Sequence, residues 1–95
     1  MNPHYSKTMA RIFSIEFTFN GALQHAMITV RQTPFHTEYK IVLQSIELVE
    51  LLLSDKIISP LPGVFLFANV SEADYNEPMK QILAAVSQRV HSVRH

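Results

Sequence analysis

RIFSIEFTFNGALQHAMITV, residues 11–30, decides how this chain folds, because Asn20-Gly21 stands at the centre of two alternating apolar runs. A two-residue type I′ turn needs positive φ at both central positions, which Gly adopts freely and Asn tolerates. The stretch therefore reads as an antiparallel hairpin in which Phe19 pairs with Ala22. Working outward, Phe17 faces Gln24, Ile15 faces Ala26, Phe13 faces Ile28 and Arg11 faces Val30, and these residues make one apolar face. The other face carries Thr18 with Leu23, Glu16 with His25, Ser14 with Met27 and Ile12 with Thr29. It is more polar, but Ile12, Leu23 and Met27 interrupt it.

Beyond the hairpin, Gln32-Thr33-Pro34-Phe35 breaks the pattern, since Pro34 has no amide to give to a ladder. A third strand is expected over 36–43, with Tyr39, Ile41 and Leu43 alternating against Glu38, Lys40 and Val42. Over 44–55, Ile46, Val49, Leu52 and Leu53 follow helical spacing, while Ile46, Leu48, Leu51 and Leu53 offer a poorer strand reading, so 46–53 is a helix or a strand, with Glu47, Glu50 and the leucines favouring a short helix. Ile57-Ile58 lead into Ser59-Pro60-Leu61-Pro62-Gly63, a bend. Residues 64–70 then read as a buried strand covered on both faces, away from a sheet edge, because both alternating sets are apolar.

The last element is an amphipathic helix. Met79, Ile82, Leu83, Val86, Val90 and Val93 fall on one face, while Lys80, Gln81, Ser87, Gln88 and His91 fall on the other. Asn76 is the expected cap, with Glu77 and Pro78 suited to the first turn. The fold class is α+β: an antiparallel sheet of about four strands with the C-terminal helix packed on one face. A single domain is expected over 10–95 behind a flexible leader at 1–9, as 95 residues suit one core.

Composition narrows the chemistry. There is no cysteine, which excludes thiolate catalysis, disulfides and metal–thiolate sites. The two glycines, Gly21 and Gly63, both belong to turns, so phosphate-cradling loops and a nucleophile elbow cannot be assembled in their usual form. Eight basic and eight acidic residues are spread along the chain, which argues against nucleic acid as a partner and leaves little repulsion against self-association. No apolar run reaches the roughly 18 residues of a membrane span, so no membrane is expected and the cytoplasm is the expected compartment. His91 and His95 have an i, i+4 spacing, but no carboxylate accompanies them, and no metal or cofactor is expected.

Two functional readings follow. In the first, Ile12, Leu23 and Met27 form an interface on the reverse sheet face, and the protein is a non-enzymatic binding or assembly module that forms a homo-oligomer or takes a protein partner. In the alternative, Glu16 and His25, opposed across the hairpin, join Tyr39 in a polar site of a ligand-binding domain or small enzyme, the carboxylate supporting the imidazole as a general base. No catalytic set beyond that pair is evident.

Overall fold

The computed structural model describes residues 11–93, with the side chains of Ser92 and Val93 left aside. The leader at 1–9, Ala10, His4 and His95 lie outside the described residues, as does the side chain of Val93. Five strands form one antiparallel sheet in sequence order: β1 (Arg11–Phe19), β2 (Ala22–Gln32), β3 (Thr37–Leu43), β4 (Lys56–Ser59) and β5 (Leu66–Phe67). A short helix α1 (Ile46–Leu51) joins β3 to β4, and the long helix α2 (Glu77–Val93) follows a single 3-10 turn at Glu72–Asp74. The chain is thus α+β, with one strand more than the sequence suggests.

The β1–β2 hairpin turns on Asn20 at φ 53° and Gly21 at φ 78°, the left-handed pair that a type I′ turn requires. Its nine residue pairs run without a slip from Phe19↔Ala22 to Arg11↔Val30. At the far end of β2, Thr33 closes the connection to β3. Its hydroxyl accepts the amides of Phe35 and His36, and its own N–H donates to the His36 carbonyl. That closed loop sets Tyr39 against Val30 and Ile41 against Ile28.

The core lies between the sheet and α2. Ile15, Phe17, Ala26, Ile28, Val30, Tyr39, Ile41, Ile57 and Phe67 meet Met79, Ile82 and Val86 of the helix, and all are buried. Asn76 caps α2 as expected: its Oδ1 accepts the Met79 amide at 3.1 Å, while its Nδ2 donates to the Leu51 carbonyl at 2.7 Å, tying the start of α2 to the end of α1.

Two sequence expectations change. The short helix is present, with Ser45 Oγ accepting the Leu48 amide at its start, but it buries Leu48 at 1% exposure while Ile46 stands 75% exposed and Val49 and Leu53 face outward. Six residues are too few for a stripe to set the orientation. The tie to Asn76 and the Ser54 turn into β4, where Ser54 Oγ accepts the Lys56 amide, hold it instead. The strand expected over 64–70 shrinks to Leu66–Phe67 and forms the sheet's edge, with two pairs to β4. Gly63 at φ 83° and Asn69 at φ 64° bend the chain out of extended geometry on both sides of it.

Candidate functional site

The reverse face of the sheet has no covering element among the described residues. Ile12 and Leu23 are each 60% exposed, Met27 is 48% exposed, and Val42, paired with Met27 across β2 and β3, is 47% exposed. The three expected interface residues are therefore wet, and Val42 extends their row onto β3. Alternation alone could have found Val42 once β2 and β3 were paired. The middle segment does not fold over this face, because Leu48 enters the core on the α2 side.

Glu16 and His25 face each other as the hairpin register requires, with Nδ1 and Oε2 3.7 Å apart and both side chains nearly two-thirds exposed. Among the described residues no further hydrogen bond joins the pair. An ion pair this wet is worth at most about 1 kcal/mol. Tyr39 does not join it: strand alternation puts Tyr39 on the α2 side, buried in the core, while Glu16 and His25 project from the reverse side. No group of three or more metal-ligating side chains exists among the described residues, and His91 Nδ1 donates to the Ser87 carbonyl at 2.9 Å.

The two edges of the sheet differ. At β5 the outward amide of Phe67 donates to the Tyr75 hydroxyl at 2.8 Å, and the two rings meet edge-on at 5.2 Å. At β1, hydrogen-bonded pairs fall on the odd-numbered residues because Phe19 and Ala22 close a two-residue turn. The amides and carbonyls of Ile12, Ser14, Glu16 and Thr18 consequently point away from β2. An open groove of about 470 Å³ runs beside Ser14, Ile15 and Glu16, with Ala85, Gln88 and Arg89 of α2 as its other wall.

A larger hollow, about 510 Å³, opens at the end of the sheet where the β2–β3 and β4–β5 loops meet α2. Phe13, Tyr39 and Phe65 line it together with Arg11 and Arg89, and Pro34, Pro60 and Pro62 belong to its rim. On the reverse face nearby, Glu38 gathers Arg31 Nη2 at 3.0 Å, His36 Nε2 at 3.1 Å and Lys56 Nζ at 3.7 Å. The His36 hydrogen bond foremost, and the positive charge of Arg31 and Lys56, hold its carboxyl below the ordinary value despite partial desolvation.

No helix among the described residues is long and apolar enough to cross a membrane. No protein family, curated protein or solved structure matches the chain.

Proposed function

We propose that this protein is a non-enzymatic assembly module that pairs with a second copy of itself along β1. One observation carries the reading: among the described residues, a nine-residue edge strand without proline or bulge, charged only at Arg11 and Glu16, turns the amides and carbonyls of Ile12, Ser14, Glu16 and Thr18 away from β2. Sheets ordinarily guard such an edge with charge, proline, a bulge or short length, because its unpaired backbone groups are a template for another strand. A second copy suits it best. Under a two-fold axis an antiparallel edge is its own complement, the same row of donors and acceptors meeting itself. The zero formal net charge opposes that contact little. The reading carries the cytoplasm with it as the compartment.

Light scattering after size exclusion, from low to several hundred micromolar protein, tests the proposal. The expected result is a mass that rises to a dimer. Ser14→Pro sharpens it, since the Ser14 amide makes no ladder bond to β2 and proline is tolerated on the solvent side of an edge strand. That variant should keep its circular dichroism and stay monomeric at every concentration. A monomeric wild type throughout overturns self-association, and an undiminished Ser14→Pro dimer overturns the β1 edge as its route.

A further inference from the structure

We propose that the hollow at the loop end of the sheet binds a small planar aromatic carboxylate. The wall is aromatic and continuous. Tyr39 lies at its base with its ring centroid 6.5 Å from that of Phe13 and 5.8 Å from that of Phe65, the rings tilted 66° and 53°. Inclined rings of this kind take a flat aromatic guest by edge-to-face or offset contact.

Charge sets the class of guest. Arg11 and Arg89 line the hollow, and among the described residues no aspartate or glutamate does. A chain of zero formal net charge thus collects two guanidinium groups around one aromatic cleft. Arg89 is held with its Cζ 5.4 Å from the centre of the Phe13 ring, an arrangement that keeps the planar fork next to the aromatic wall. A carboxylate is the anion that such a fork grips through two parallel N–H donors.

Size and rigidity agree with that guest. About 510 Å³ lies within the roughly 300–1,000 Å³ usual for small-molecule sites. Pro34, Pro60 and Pro62 restrict the two rim loops, which lowers the entropy lost when a ligand is enclosed. The hollow shares Arg89 with the groove beside Ser14, so the titration is repeated on the Ser14→Pro variant to separate it from self-association.

Calorimetric titration of the full chain with 2-naphthoate, beside the neutral 2-naphthalenemethanol and the non-aromatic cyclohexanecarboxylate, tests the proposal. Saturable binding of 2-naphthoate is expected, with the alcohol weaker by about tenfold or more, the difference one charge-assisted contact makes, and cyclohexanecarboxylate weaker by about tenfold through loss of the ring contacts. Arg89→Gln and Arg11→Gln should each weaken 2-naphthoate by a similar factor and leave the alcohol unchanged. Arg31→Gln, on the reverse face with Glu38, should bind as the wild type does. Circular dichroism reports whether each variant folds, and Arg11→Gln decides if Arg89→Gln does not. No saturable binding at millimolar 2-naphthoate overturns the site, and equal affinity for acid and alcohol overturns the role of the arginines.

Discussion

β5 and β1 both end the sheet, yet β5 offers an incoming strand two residues and β1 offers nine. At β5 the turns at Gly63 and Asn69 cut the strand short, and the Tyr75 hydroxyl takes the outward amide of Phe67. At β1 the register is unbroken and the outward groups face a groove whose far wall includes the small side chain of Ala85. Among the described residues the sheet therefore has a closed edge and an open one. The closed edge is held by side chains and the open edge by its ladder to β2, so the two should fail differently under mutation.

The largest contrast comes from truncating the ring that anchors each edge. Phe17 and Phe67 are both buried, and cutting either to alanine should cost about 3–5 kcal/mol, read from urea midpoints. The local consequences diverge. Phe67→Ala should release β5 altogether, since two pairs cannot hold it, and amide exchange at Ile58, whose backbone groups face β5, should quicken. Phe17→Ala should leave the nine-pair β1 ladder protected relative to the new global stability. Preferential loss of β1 protection in that variant would mean that the ring, not the ladder, holds the open edge.

Tyr75→Phe acts on the closed edge alone. It removes the acceptor of the Phe67 amide while keeping the ring, and leaving that buried donor unpaired should cost about 1–3 kcal/mol. Faster exchange at the Phe67 amide with β1 unchanged is the expected signature. A cost near zero would show that β5 is closed by its short length rather than by the hydroxyl.

How much of this was legible in the sequence follows from the range of the interactions involved. The hairpin register was readable pair by pair because Asn20-Gly21 admits one turn geometry and alternation carries it outward. The Asn76 cap and the α2 stripe were readable for the same local reason. The sequence groups Tyr39 with Glu16 and His25, whereas its true side depends on how the Thr33 loop sets β3 against β2. The face of α1 was unreadable because a tether from Asn76, 25 residues distant from Leu51, orients it. The aromatic hollow draws on β1, both loops and α2, so no single stretch announces it. The reverse-face residues Ile12, Leu23 and Met27 were identifiable by alternation, whereas their exposure depended on where α1 goes.

Asn76 allows the cap and the tether to be separated. Asn76→Ala should cost about 0.5–2 kcal/mol through loss of the cap. Asn76→Asp keeps an acceptor for the Met79 amide but loses the Nδ2 donor to the Leu51 carbonyl, so it should cost less and raise amide exchange within α1 rather than α2. Equal costs for both variants, with α1 unaffected, would remove the tether as the reason Leu48 faces inward.

The smallest effect belongs to Glu38, whose row with Arg31 on β2 and Ile58 on β4 lies between the two edges. Unfolded, its carboxyl titrates near the ordinary 4.5, while in the fold His36, Arg31 and Lys56 hold it lower. Between those two values the folded chain binds fewer protons than the unfolded one. The stabilisation is therefore complete above the ordinary value and is lost as pH falls through the lowered one. Arg31 is largely in water and Lys56 is half-exposed, which screens their share and keeps the effect small. Glu38→Gln should lower the urea midpoint slightly at pH 7, and the two curves should converge in acid, where the protonated wild-type side chain resembles glutamine. Because the neighbours of Glu38 lie on β2, β3 and β4, this pH dependence should appear in amide exchange at β3 and β4 and leave the free edge of β1 unmoved. A pH-independent gap between the two proteins would mean that shape at Glu38, rather than charge, joins the middle of the sheet.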